Sequence, residues 1–467
     1  MTKNKYGVLL LKLFFDSLII MYDKINIVPH LIKEAEKFII ENDRMLYSDF
    51  LKITELYCEE NSILIGGKVG IDLLISQPIT KESFFYELYT DDTYNHAKKL
   101  TDRLYSDSHT PHIDKKYIVL RTDIRNREFT ININTRSVIK IYNLDKYRNI
   151  RLIKLMGPPS RKGYFSDKFI KCISEEIQLI EIYRTLYSPI KVAQWNDYLR
   201  YEKELYLAIK SNVARKVTEK IEELNLDLEF LGALDNSAKN KWKSHIENTI
   251  IDKIVRKSNN VLIGDYAINC SLDISSKNTN VRLQLISEES IDNFVKQIER
   301  ALKDEKISGT VSYIRYNLNI LTDFQILKYT IYVTSDKNQI PILDFFNSSS
   351  FELIPFAKGK DTFTDIKLGN LFVLLRFKFI DLWVMRLILN IGTDNINFLR
   401  DKIKDMLDQI NKLRTCISKK QKEELFQLKN YVGVYINETV AKKKLIIERG
   451  EKFAPYYPAK NKITVAE

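Results

Sequence analysis

Apolar residues recur at i, i+3 and i+4 across residues 27–60, the spacing of one buried helical face. That rhythm stops at Ser62-Ile63-Leu64-Ile65, a short apolar run closed by Gly66-Gly67, and predicts a buried strand. A helix is predicted from there to about Ile75. Phe84 to Thr90 is β-rich, and Thr93 to Ser106 has helical spacing. Residues 117–123 and 128–142 alternate apolar and polar positions, as antiparallel strands with one wet face do. Pro158, Pro159 and Gly163, around Ser160-Arg161-Lys162, mark a basic loop and a boundary. Residues 166–256 are predicted helical almost throughout.

The pattern then restarts. Asn260 to Gly264 is again a strand closed by glycine. A short helix, a strand over Val281–Ser287 and a helix over Ser290–Leu302 follow, then strands near 308–316, 326–334 and 339–345. Residues 368–441 are predicted helical, and the tail from 450 irregular. Ile63-Leu64-Ile65-Gly66-Gly67 matches Val261-Leu262-Ile263-Gly264-Asp265; Gly66 lies 21 residues before Glu87, and Gly264 lies 20 before Gln284. An internal duplication is therefore expected. The predicted layout is an N-terminal extension (1–26), a first α+β module (27–160), a helical region (161–255), a second module (256–360), and a C-terminal helical region and tail (361–467).

The chain has 467 residues, 45% hydrophobic and 29% charged, the balance of a core-forming protein, which excludes wholesale disorder. Lys and Arg outnumber Asp and Glu by 73 to 61, and the net charge of +12 favours a polyanionic partner. Four cysteines, with no Cys-x-x-Cys, argue against a disulfide framework or zinc site and favour a reducing compartment. His109 and His112 have no third ligand nearby. Residues 7–21 are apolar, but Lys12 and Asp16 interrupt them and no small-residue cleavage site follows, so no signal peptide is expected; Met21 is a second candidate start. The apolar stretch from Asn370 to Gly392 contains Arg376, Lys378, Asp381 and Arg386. Each charge costs about 2.5–3.5 kcal/mol at a bilayer centre, so a core helix with one wet stripe is expected instead of a membrane span.

A strand ending in glycines, a helix, then a strand with alternating acids is a plan suited to phosphate chemistry. Glycines let the backbone approach a triphosphate, whose charge is favoured at a helix N-terminus. Carboxylates at i and i+2 of a strand point to one side. With a third from a neighbouring strand they hold two magnesium ions roughly 3.5–4 Å apart for in-line attack by a hydroxyl. Ile65-Gly66-Gly67, the strand Phe84–Thr90, Leu100-Thr101-Asp102-Arg103-Leu104-Tyr105 and Leu120-Arg121-Thr122-Asp123 resemble the poly(A) polymerase catalytic subunits of large cytoplasmic DNA viruses, of poxvirus, asfarvirus and mimivirus type. The likeness is densest over about residues 60–145, and the two-copy layout extends it along most of the chain.

That resemblance implies an α+β fold of two nucleotidyltransferase-like modules, each followed by helices. It implies AMP transfer from ATP to the 3′ end of mRNA, with Mg²⁺ or Mn²⁺, and a homodimer or a viral processivity partner. It also implies the host cytoplasm, in a viral factory, with the virion as a second location, and no membrane. Glu87 becomes the expected catalytic residue and metal ligand; Gly66 and Gly67 are expected to hold the triphosphate, with Lys68 as a phosphate partner. The departures are as informative. The family's acid pair falls on Phe85 and Glu87, and the third acid near Thr130; in the second copy the pair falls on Arg282 and Gln284, with Asp344 where a third acid would sit. Asp72, Asp91, Asp92 and Asp123 are nearby carboxylates, none with the family spacing. Three readings follow: an active diverged polymerase; an inert relative that binds RNA or pairs with another subunit; and a basic helical scaffold without a nucleotide role. Arg161-Lys162, Arg215-Lys216, Lys412 to Lys422 and Lys442-Lys443-Lys444 are the clusters expected to follow an RNA backbone.

Overall fold

The computed structural model describes residues 31, 34, 35, 38, 47–74, 85–109, 113–123, 128–134, 136–143, 153–156, 170–188, 195–211, 241–272, 282–318, 326–335, 338–347, 353–359, 365–391, 396–419, 430–432, 443 and 455–458. Helix α1 (residues 47–61) inserts Phe50, Leu51 and Tyr57 into the core. The first half continues as β1 (Leu64–Gly66), α2 (Gly67–Leu74), β2 (Tyr86–Thr90), α3 (Thr93–Asp107), β3 (Ile118–Asp123), β4 (Glu128–Ile133), β5 (Arg136–Asn143), β6 (Ile153–Met156) and β7 (Ile170–Ile173). These strands form one sheet in the order β3-β4-β5-β2-β1-β7-β6. Helices α4 (Glu175–Tyr187), α5 (Trp195–Ser211) and α6 (Lys241–Lys253) follow.

The second half repeats the plan with β8 (Val261–Ile263), α7 (Gly264–Ser271), β9 (Leu283–Ser287), α8 (Ile291–Asp304), β10 (Thr310–Leu318), β11 (Ile326–Ser335), β12 (Asn338–Asn347), β13 (Ile354–Lys358) and β14 (Lys367–Gly369). Helices α9 (Leu371–Ile391) and α10 (Ile396–Lys419) and the short β15 (Tyr431–Val432) complete it. The sheet order is β10-β11-β12-β9-β8-β14-β13-β15. Helix α8 illustrates how local pattern becomes structure. Ser290 caps it by accepting the Asn293 amide, and Ile291, Phe294, Ile298, Ala301 and Leu302 bury one face at helical spacing.

The duplication holds strand by strand. β1/β2 and β8/β9 are antiparallel; β1/β7 and β8/β14 are parallel; β2/β5 and β9/β12 are parallel. The outer pairs of each sheet are antiparallel in both halves. Register refines the sequence match by one residue. Gly66 pairs with Glu87 while Ile263 pairs with Gln284, so Gly67 corresponds to Gly264. The glycine then precedes the aligned residue by twenty positions in both halves.

Three expectations are corrected. The span predicted helical from 166 contains β7, because Ile170–Ile173 adds a parallel strand beside β1. The sheet therefore continues beyond residue 160. Within 368–441, β14 and β15 contribute strand residues to the second sheet's far side. The wet stripe on α9 is absent at Arg376 and Lys378, which are buried. This helix packs on α4, α7 and α10, so its cations find partners in protein: Arg376 with the Tyr187 hydroxyl, Lys378 with Asp265. No helix among the described residues is long and apolar enough to cross a membrane. The N-terminal extension, Met21, Arg161-Lys162, Arg215-Lys216, Lys442 and Lys444 lie outside the described residues.

Candidate functional site

β1, α2, β2 and β5 converge on Glu87. In register it lies between Gly66 of β1 and Lys140 of β5. α2 begins at Gly67, whose φ of +59° is costly for a residue with a side chain. A Cβ on Gly67 would sit 2.6 Å from Glu87 Cδ, so the glycine is bare because the Glu87 side chain lies across it. Gly66 differs. A Cβ there would collide with the Tyr89 ring and come within 2.7 Å of Ile173 Cδ1. Its bareness serves buried ring packing, and it is not the residue that opens onto Glu87. The second half reproduces the arrangement: Gly264 has φ +68°, and a Cβ there would lie 2.7 Å from Gln284 Cδ.

The strand pairing relocates the third acid. Thr130 lies on β4 opposite Lys140, one strand further from β2. The residue facing Glu87 is Lys140, just as Asp344 faces Gln284 in the second half. The expectation at Thr130 is therefore corrected to Lys140, whose ammonium stands 5.3 Å from the centroid of the Phe85 ring. Phe85 and Glu87, where the resemblance places an acid pair, and Lys140 opposite Glu87 are the side chains this strand pairing brings together. One carboxylate, one hydrocarbon ring and one ammonium do not fit Mg²⁺ or Mn²⁺, which need hard oxygen ligands. No group of three metal-ligating side chains occurs among the described residues. The nearby acids do not repair the set: Asp72 is buried and paired with Lys68 at 2.6 Å, and Asp91 and Asp92 are exposed in the turn after β2.

α5 reaches both Glu87 and Lys68. Tyr198 donates its hydroxyl to Glu87 Oε1 at 3.0 Å. Lys68, the expected phosphate partner, is held by Glu204 at 3.1 Å as well as by Asp72, and lies 4.9 Å from the Tyr201 ring centroid. Two residues along β2, Tyr89 stacks on Tyr142 at 5.1 Å; burial, reinforced by the Glu87 and Glu181 carboxylates, raises its hydroxyl well above the usual phenol value and keeps it neutral.

The second site is shut from within. Asp344 accepts from Arg282 at 3.0 Å, Lys328 at 3.0 Å and Thr330 at 2.8 Å, and all four residues are buried. Burial pushes the Asp344 carboxyl up, but Lys328 and Arg282 beside it outweigh that and hold it below the ordinary value. Two side-chain cations thus stand around the carboxylate that would otherwise serve a metal.

Lys140, Tyr198, Glu204 and Lys328 were missed by sequence reasoning. For Lys140 and Lys328 a signal existed. Each is a lone charge inside an apolar strand, Val138-Ile139-Lys140-Ile141-Tyr142 and Ile326-Leu327-Lys328-Tyr329. Nothing local pointed to Tyr198, 111 residues from its partner.

No family model matches the chain. It is 26% identical over 449 residues to an uncharacterized protein of African swine fever virus, in isolates from a South African tick and a Namibian warthog. The match covers 94% of this chain and 99% of those proteins. Among solved structures it is similar to the Megavirus polyadenylate synthase, with a TM-score of 0.57 and 14% identity over 98% of this chain and 86% of that one. The fold is accordingly α+β, with two modules of the nucleotidyltransferase-like plan expected from the sequence.

Proposed function

We propose that the chain is a poly(A) polymerase-like subunit of a viral polyadenylation apparatus that binds RNA or pairs with another subunit and does not itself transfer AMP. The observation that carries this reading is Lys140 opposite Glu87, with Phe85 completing the set. A unit positive charge and a divalent cation about 5 Å apart repel by about 7 kcal/mol at an effective dielectric of 20. That cancels nearly half of what Glu87 alone would offer a bound divalent ion, about 15 kcal/mol at about 2.2 Å by the same expression, and no second or third carboxylate makes up the loss. The second module's set is likewise occupied by its own Arg282 and Lys328. The net charge of +12 supports a polyanionic partner such as the mRNA 3′ end, and the viral relatives support action in the host cytoplasm.

The second reading keeps the chain as an active polynucleotide adenylyltransferase using ATP with Mg²⁺ or Mn²⁺. It is favoured by Glu87, which survives beside the bare, positive-φ Gly67 at the start of α2. An RNA-primer extension assay with the full chain and ATP, run once with each metal, separates the two. The expected result is no AMP added with either metal, while the primer is bound in a parallel anisotropy titration. AMP addition that is lost in Glu87→Gln would overturn the first reading in favour of the second.

A further inference from the structure

α5 presents two faces. Tyr198 and Tyr201 turn to Glu87 and Lys68. Leu199, Glu202 and Lys203, spaced i, i+3 and i+4, form a second face and line a cleft of about 460 Å³ with α4, α9 and α10. That volume is in the range of small-molecule sites, roughly 300–1,000 Å³. The inner wall is apolar. The Tyr183 and Phe372 rings, 6.3 Å between centroids, are buried there beside Leu186, and Leu199 and Ile417 flank them. The outer wall is polar: Asn411, Thr415 and Ser418 share one face of α10 and span about 10 Å.

The hydrogen bonds already made fix what each polar group still offers. The Tyr206 hydroxyl donates to Asn411 Oδ1, which leaves the amide nitrogen as a donor. Thr415 and Ser418 donate their protons to the Asn411 and Thr415 carbonyls at 2.8 Å each, which leaves their oxygens as acceptors. Charge gives the cleft a sign. Arg414 forks Glu202, with Nη2 3.0 Å from Oε2, and Tyr183 donates to the same carboxylate at 2.6 Å, so that pair is neutral overall. Lys203 is exposed, and among the described residues no acid pairs with it.

We propose that this cleft binds a nucleotide unit, free or as one residue of an RNA strand, with the base between the two walls and the phosphate at Lys203. A base has flat apolar faces for the Phe372 wall and an edge of donors beside acceptors for the α10 wall. A hydrocarbon chain would leave the α10 wall unpaired, and a bare sugar phosphate would leave the inner wall wet. Packing a splayed base on aromatic and apolar side chains while a cation holds its phosphate is how single strands are bound. The RNA source rests on the RNA-binding reading above. The site itself is separate from that of Glu87, since neither Glu87 nor Lys68 nor Lys140 lines the cleft.

The test uses the full chain and a short single-stranded RNA carrying one 4-thiouridine. Irradiation and peptide mapping should place the cross-link between Asn411 and Ser418 or between Leu199 and Lys203. In anisotropy titrations Lys203→Glu should weaken RNA about tenfold and lower the salt slope by about one. Thr415→Trp, which fills the cleft from an exposed position without changing charge, should weaken RNA about tenfold as well. Circular dichroism checks that both variants fold. Calorimetry with AMP and with ribose 5-phosphate addresses the free nucleotide. AMP binding that both variants abolish, without a cross-link in the cleft, assigns the free nucleotide as occupant; a variant-sensitive cross-link without AMP binding assigns the strand. Equal affinity for AMP and ribose 5-phosphate overturns the proposal, because the base is then not held. RNA bound equally by wild type and both variants, with cross-links elsewhere and no AMP binding, also overturns it and leaves the RNA-binding reading standing. A chain that binds neither RNA nor AMP overturns both.

Discussion

Asp344→Asn tests how the second module is held together. The substitution keeps shape and the Thr330 hydrogen bond but removes the negative charge that Arg282 and Lys328 share at 3.0 Å each. Both cations are then left buried, 4% and 3% exposed, without their counter-charge. Breaking one side of a buried ion pair costs about 3–5 kcal/mol. In a unit of 150–250 residues, the size of the second half with its C-terminal helices, each kcal/mol moves the melting temperature by roughly 2–4 °C, so a fall of roughly 6–20 °C is expected in the calorimetric transition of that half. The companion variant replaces the whole network, Arg282→Met, Lys328→Met and Asp344→Leu together. It should come within about 1 kcal/mol of wild type or exceed it, because no charge of the Arg282–Lys328–Asp344 set remains. Acid should narrow the gap between wild type and Asp344→Asn. The folded carboxyl titrates below its ordinary value, so its contribution is present above that value and is lost as pH falls through the folded pKa. A loss below about 1 kcal/mol for the single variant, or a triple variant weaker than the single one, would refute the argument that the cations are held by Asp344.

Asp381 behaves in the opposite sense: burial, against the attraction of Lys378 and Lys328, raises its carboxyl to about 6 from 3.8. The folded state then binds the proton more tightly, and stability declines as pH rises through that window. Asp381→Asn should flatten the melting-temperature profile there and raise stability near neutrality by on the order of 1 kcal/mol; parallel profiles would contradict it. Gly67→Val and Gly264→Val should each cost at least about 1–2 kcal/mol in denaturant midpoint, since both positions have positive φ and a side chain lying across them. A neutral Gly67→Val would mean that Glu87 is not held there. Phe85→Asp with Lys140→Asp should create Mn²⁺ binding measurable by calorimetry where wild type shows none, because three carboxylates then share the β2 and β5 face; no gain in binding would mean that these positions do not converge. RNA affinity should fall steeply with salt, and charge reversal across Lys442, Lys443 and Lys444 should weaken it; affinity indifferent to ionic strength would exclude backbone recognition.

What the sequence alone determined is the part of the molecule written in short-range spacing. The strand closed by glycine at Gly66-Gly67 and again at Gly264, the helical face of α8 and the order of elements that reveals a duplication all follow from neighbours two to four residues apart. The resemblance to the viral polymerases placed the depleted acid pair on Phe85 and Glu87; strand spacing adds only that the two positions share a face. Neither located the third acid. Placing it required knowing that β5, not β4, pairs with β2, a parallel contact between distant segments that makes Lys140 the residue opposite Glu87. The charges on α9 misled in the same way: helical periodicity tells how side chains are spaced, but only the packing of α4, α7 and α10 around that helix decided that Arg376 and Lys378 are buried and paired. The contacts of α5, Tyr198 on Glu87 and Glu204 on Lys68, depend on where the chain returns after more than a hundred residues. Local pattern is set by bond geometry and side-chain periodicity. Which segments meet is set by the burial of whole faces against one another, and that energy belongs to the assembled core, not to any one stretch of chain.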